Sequence, residues 1–143
     1  MSASENKDLL RRYFEEVWEK QNPEAVRLFL APDYKRHTSP TAKPLTLDEQ
    51  IQRLGGFRAA FPDIQIRVEE VIAEGDLISF RSTLRGTHQG ELLGIAPTGK
   101  KVTVNLLDMV RIENGKFVEQ WGGPDLYDLI RQLGASVVQP AEG

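Results

Sequence analysis

The stretch Val102-Thr-Val-Asn-Leu-Leu-Asp-Met-Val-Arg-Ile-Glu-Asn-Gly-Lys-Phe-Val-Glu-Gln-Trp121 carries the fold of this chain. Val102, Val104, Leu106, Val110 and Ile112 alternate with Thr103, Asn105 and Arg111, the period of a strand with one buried face. Asn114-Gly115 follows, and because both residue types accept positive φ, the dipeptide closes a tight hairpin. Lys116 to Trp121 is the returning strand, stopped by Gly122-Gly123. One residue breaks the alternation. Asp108 falls between Leu106 and Val110, so a carboxylate is expected on the apolar face.

Upstream the same period recurs. Ile64, Ile66 and Val68 alternate with Gln65, Arg67 and Glu69, Glu74-Gly75-Asp76 turns the chain, and Leu77 to Thr87 forms a second strand. A loop rich in glycine and proline, Gly90 to Gly99, leads into the strand of Asp108. Before Pro62 the period is helical. Leu9, Leu10, Tyr13, Phe14, Val17 and Trp18 predict a helix over Asp8–Lys20. Asn22-Pro23 reads as the cap and first residue of a short helix that buries Val26, Phe29 and Leu30 and stops at Ala31-Pro32. Thr46 and Glu49 have capping-box spacing at the start of a third helix, with Leu47, Ile51, Leu54 and Phe57 inward. Gly55-Gly56 predicts a kink or close contact in that helix, and Pro62 ends it. Downstream, Pro124 starts a last helix with Leu126, Leu129, Ile130 and Leu133 inward and Gly134 at its C′ position. Ala135 to Gly143 is expected to be a loose tail.

Three helices followed by four strands joined mainly by hairpins argue against βαβ units. They predict a cone-shaped α+β fold in which the helices pack on a curved antiparallel sheet around one small-molecule pocket. The whole chain, residues 1–143, reads as one domain with an ordered core over about residues 6–135.

Composition bounds the function. At 143 residues, 40% hydrophobic and 27% charged, the chain can bury a real core and is neither disordered nor a membrane protein. No apolar run approaches the ~20 residues that cross a bilayer, and the first residues lack the apolar core of a secretory signal. Without cysteine there is no disulfide, no thiolate nucleophile and no Cys-based metal site; a cytoplasmic location fits. Net charge is -3 and the basic residues are scattered, which argues against nucleic acid as a partner. Neither a Gly-x-Ser-x-Gly elbow nor a phosphate-cradling glycine loop is present.

Candidate chemistry centres on Asp108. A buried carboxylate has its pKa raised and can act as general acid or base, or it finds a partner in backbone amides or an arginine; the pattern leaves both open. His88 shares the parity of Ile78, Phe80, Ser82 and Leu84, toward the same interior, and His37 lies in a loop between helices. Each could tune, orient or shuttle a proton, or be structural. No closely spaced His or His/carboxylate motif supports a metal site. Glu70 has the parity of Ile64, Ile66 and Val68 and is a candidate second acid. Arg81 and Arg85 fall on the opposite, solvated parity. Phe117 and Trp121 share one face of the last strand, Val118 and Gln120 the other. Tyr13, Phe14, Trp18 and Phe57 are core residues, some of which must line the cavity of a cone.

Together these segments resemble the SnoaL-like polyketide cyclases, a branch of the nuclear transport factor 2-like superfamily, from about Asn6 to Ala135. The landmarks are Tyr13-Phe-Glu-Glu-Val-Trp18, Leu30-Ala-Pro-Asp-Tyr34 with His37, Phe57-Arg-Ala-Ala-Phe-Pro-Asp63, Leu84-Arg-Gly-Thr-His-Gln-Gly90, Pro97-Thr-Gly99, Asp108 to Lys116, Glu119-Gln-Trp121 and Asp125 to Gly134. The resemblance implies a homodimer without metal or organic cofactor that closes a polyketide ring by intramolecular aldol condensation. Asp108 matches the family's acid/base, and His88 and His37 match recurrent family positions. Trp18, Tyr13, Phe14, Phe57, Leu106, Gln120 and Trp121 would shape the cavity for a hydrophobic, carbonyl-bearing substrate. Many members carry histidine where this chain has Gln120, which can hydrogen-bond but not titrate. Epoxide hydrolysis, dehydration or isomerisation in the same pocket, or a non-catalytic dimeric binding module, are the alternatives.

Overall fold

The computed structural model describes residues 2–136, so the expected tail lies almost wholly outside the described residues. Helix α1 spans Ala3–Tyr13 and starts well before Asp8, because Ser2 and Glu5 cap each other. Glu5 N–H donates to Ser2 Oγ at 3.1 Å and Ser2 N–H to Glu5 Oε1 at 3.2 Å. At Phe14–Glu19 the helix widens into a π turn, with Lys20 N–H reaching Glu15 O at 2.9 Å. The wider turn keeps Phe14, Val17 and Trp18 all buried. A 3₁₀ turn, Pro23–Ala25, and the short α2, Val26–Phe29, follow; Asn22 makes no side-chain cap bond there.

The next segment departs from expectation. Leu30–His37 is a strand, β1, and not a loop. Pro32 conceals it, since proline cannot donate to a ladder, but β1 is the edge of the sheet and tolerates it. Its free side is covered by the following loop: Arg36 N–H donates to Leu45 O at 2.9 Å, and Leu45 N–H to Arg36 O at 2.8 Å. The other strands are β2 (Gln65–Glu74), β3 (Leu77–Thr87), β4 (Lys101–Glu113) and β5 (Lys116–Pro124). The sheet order is β1-β5-β4-β3-β2, with β1 parallel to β5 and the rest antiparallel. The architecture is the expected cone-shaped α+β fold, but its five-stranded sheet is mixed and does not close.

Two bulges reset the parity of the antiparallel strands. The first, between Val68 and Glu70, turns Glu70 outward into an exposed ion pair with Arg81, so Glu70 is not an interior second acid. The second lies where Ile112 faces Phe117 and Arg111 faces Glu119, leaving Val118 as the extra residue. Phe117 and Gln120 therefore both line the interior, and Trp121, opposite Met109, leaves it. That reverses the expected grouping of Phe117 with Trp121 and of Val118 with Gln120.

Helix α3, Leu47–Ala60, opens with the expected reciprocal Thr46–Glu49 box and runs unbroken through Gly55-Gly56, which are exposed. Its buried positions are Gln50, Leu54, Phe57 and Ala60, while Leu47 and Ile51 are half-buried. Helix α4, Leu126–Gln132, is capped by Asp125, because β5 continues through Pro124; Leu126 is exposed rather than inward. The core between helices and sheet is an aromatic cluster. Tyr13 meets Phe14, Phe29 and Phe117 edge-on at 5.2, 5.6 and 5.3 Å, and Phe14 meets Phe80 at 5.5 Å, the geometry the ring quadrupole favours. No helix among the described residues is long and apolar enough to cross a membrane.

Candidate active site

A cavity lies between the helices and the inner face of the sheet. It is a slot of about 590 Å³, counting its open mouth. Phe14 and Trp18 from the π turn, Leu54 and Phe57 from α3, and Phe80 and Leu84 from β3 form apolar walls.

The floor is polar, and strand register builds it. Parallel pairing sets Arg36 of β1 opposite Gln120 of β5, and antiparallel pairing sets Asp108 of β4 opposite Gly122. Arg36 Nη2 donates to Asp108 Oδ1 at 3.0 Å, and Gln120 Nε2 donates to the same oxygen at 3.1 Å. Gln120 Oε1 in turn accepts from the Tyr34 hydroxyl at 2.5 Å. Arg36 Nη2 also donates to Gly122 O at 2.7 Å. Gly122 has φ +93, and a Cβ there would lie 2.0 Å from Leu107 O, so only glycine allows β5 to pass this close to β4. Among the described residues no donor reaches Asp108 Oδ2, which leaves that oxygen to the cavity.

Electrostatics follow from burial. The side chains of Arg36 and Asp108 are 3% and 4% exposed. Burial pushes the Asp108 carboxyl above its ordinary value; the Arg36 charge, bonds from Arg36 and Gln120, and the Arg53 charge pull against it without cancelling it. Burial opposes the Arg36 charge too, but the Asp108 carboxylate beside it outweighs that, so Arg36 is held firmly cationic. The Tyr34 hydroxyl is pushed up by burial and stays protonated, as its donation to Gln120 requires.

Of the residues singled out by sequence, Asp108, Tyr13, Phe14, Trp18, Phe57, Leu106 and Gln120 meet at this cavity. His37, His88 and Trp121 do not. His37 ends β1 on the other side of the sheet, 2.7 Å from Glu119 Oε2 and stacked on Trp121 at 5.2 Å. His88 is fully buried against Phe61; its Nδ1 accepts from Thr98 N–H at 3.1 Å and lies 3.0 Å from Thr98 Oγ1. With His88 N–H on Lys100 O and Gly99 N–H on His88 O, the residue ties down the Gly90–Gly99 loop. Three polar cavity residues escaped the sequence reading. Arg36 was hidden with its strand, although Tyr34 and Arg36 alternate with Lys35. Gln50 and Arg53 lie seven and four positions before Phe57, helical spacing that places them on its face. Among the described residues no group of three His, Asp or Glu could hold a metal ion.

A cone of helices on a curved sheet, with a carboxylate anchored at the floor of an apolar slot, defines a class of small-molecule pocket proteins. The family model of the SnoaL-like polyketide cyclases matches residues 8–133, and the chain belongs to that family. Nogalonic acid methyl ester cyclase of Streptomyces nogalater is 31% identical over 116 residues, covering 74% of this chain and 81% of the relative. AclR, a candidate hydroxylase of Streptomyces galilaeus, superposes with a TM-score of 0.84 at 28% identity, covering 98% of this chain and 91% of the neighbour. IdmH, a candidate polyketide cyclase of Streptomyces antibioticus, gives 0.78 at 28% identity, covering 90% and 98%.

Removing Arg36 exposes the sign of its coupling to Asp108. In Arg36→Met nothing as large opposes burial, so the Asp108 pKa climbs further. The native state then holds a proton that the unfolded chain releases, and stability falls as pH rises. The substitution is expected to cost least near pH 4, where the carboxyl is largely neutral, and about 3–5 kcal/mol near pH 8. Urea unfolding at both pH values measures this; an equal penalty at both contradicts it.

Proposed function

We propose that this chain is a polyketide cyclase-type enzyme that performs cofactor-free acid/base chemistry of the aldol type on a hydrophobic, carbonyl-bearing small molecule, with Asp108 as acid and base. The observation that carries this reading is the asymmetry of the carboxylate. Oδ1 is anchored by Arg36 and Gln120, and Oδ2 is left to an apolar slot. Oδ2 takes a proton from a carbon flanked by carbonyls, the resulting enolate carbon attacks a second carbonyl carbon of the same molecule, and Asp108 returns its proton to the new alkoxide. No group beyond the substrate is consumed. Burial makes the carboxylate a better base than it is in water, while Arg36 keeps it able to ionise. The slot folds the substrate so that its reacting carbons meet.

The Arg36 ion pair favours a second reading, a binding module in which Asp108 is structural. Asp108→Asn separates the two. With nogalonic acid methyl ester, for which the Streptomyces nogalater relative is named, and the corresponding free acid as the first substrates tried, the variant is expected to stay folded by near-ultraviolet circular dichroism and to lose about 10²–10⁴-fold in turnover on whichever the wild type converts. Full turnover in a folded Asp108→Asn protein overturns the acid/base role.

We further propose a homodimer formed through the outer face of the sheet. Leu107 is 64% exposed there, and Met109 beside it pairs with Trp121 on β5, an apolar strip that a second copy would cover. Sedimentation equilibrium at tens of micromolar should show a dimer that Leu107→Asp converts to monomer. A wild-type monomer under those conditions contradicts it.

A further inference from the structure

The cavity holds more positive charge than its floor uses. Its charged lining consists of Arg36, Arg53 and Asp108, and Arg36 is already paired with Asp108. Arg53 makes no ion pair and no hydrogen bond among the described residues; it lies over the face of Phe57 with its guanidinium carbon 5.2 Å from the ring centroid. The two arginines converge. A Cβ at Gly123 would lie 2.9 Å from Arg36 Nη2 and 3.4 Å from Arg53 Nη2. Burial lowers the Arg53 pKa to about 10, with the neighbouring Arg36 charge adding to the effect and the Asp108 charge partly offsetting it, so the group remains cationic at neutral pH with no carboxylate bonded to it among the described residues.

Gln50 stands one helical turn before Arg53 on the same wall. It is buried, and its Oε1 has no hydrogen-bond partner. An unneutralised guanidinium and an unused amide oxygen, side by side at an apolar slot, are complementary to a carboxylate that carries a hydroxyl nearby. The guanidinium offers two parallel N–H donors to the carboxylate, and the amide oxygen accepts from the hydroxyl.

We infer that Gln50 and Arg53 form an acid-binding subsite, and that the substrate of this chain is a hydrophobic carbonyl compound bearing a free carboxylate, in place of the neutral methyl ester for which its Streptomyces nogalater relative is named. The inference rests on the proposed use of the cavity as the substrate site. Arg53 here is a binding and specificity residue; the proton moves at Asp108.

Isothermal titration calorimetry of the full chain with anthraquinone-2-carboxylic acid and with its methyl ester tests the subsite. The probes share an apolar body and differ in one charge. The acid is expected to bind about tenfold or more tightly than the ester. Arg53→Met should bring the ratio of the two affinities to about one, and Arg53→Lys, which keeps the charge and loses the fork, should leave a ratio between the two. A ratio near one in the wild type, or one that Arg53→Met leaves unchanged, overturns the subsite. That failure is distinct from failure of the acid/base reading. Full turnover in Asp108→Asn removes the role of Asp108 and leaves the acid-to-ester ratio intact, whereas a ratio of one removes the subsite and leaves the Asp108 chemistry standing.

Discussion

A carboxylate and a guanidinium 3.0 Å apart, both nearly without access to water, impose the main constraint on this protein. Each ion alone would cost several kcal/mol to bury at this depth, on the order of a large fraction of the stability of a domain of this size. Each charge therefore offsets most of the burial cost of the other, and the strands that carry them must lie in one register. β1 has to run parallel to β5 so that Arg36 stands beside Gln120, and β5 has to turn at Gly122 so that its carbonyl meets the same guanidinium. The loop after β1 folds back through Leu45 to hold Arg36 from its other side. An edge strand interrupted by proline would otherwise be a weak element; here the ion pair and the returning loop secure it.

The remaining design follows from keeping water away from that pair. The π turn of α1 directs Phe14 and Trp18 over the slot, and the aromatic cluster around Tyr13 fills the space behind it. In these surroundings Coulomb interactions are stronger than at a surface, so a single charge difference, Arg53 unpaired against Arg36 paired, decides which ligands are complementary. The same low polarity raises the Asp108 carboxyl while Arg36 restrains it, and the proposed acid/base role of Asp108 rests on that balance.

Much of this was legible in the sequence. Strict alternation from Val102 to Ile112 placed Asp108 on the inner face, and Asn114-Gly115 placed the hairpin that brings Gln120 near it. Helical spacing of Tyr13, Phe14 and Trp18 identified their face, although not the π turn that keeps all three inward. What escaped depends on interactions between distant segments. β1 exists because β5 and Leu45 pair with it, and nothing local in Ala31-Pro-Asp33 announces a strand. Bulges at Glu69 and Val118 shift parity by one residue, which no alternating pattern encodes, and that shift moved Glu70 and Trp121 out of the interior. His88 shared the parity of the pocket residues but lies past the end of β3, where it holds a loop.

Burial outweighs Arg36 and leaves Asp108 with a raised pKa at the floor of the slot. Carbon-13 NMR titration of the aspartate carboxyls, with the Asp108 resonance assigned by its loss in Asp108→Asn, tests this most directly. An apparent pKa clearly above the ordinary aspartate value of about 3.9 is predicted. A carboxyl that titrates at or below that value would show instead that the ion pair outweighs burial.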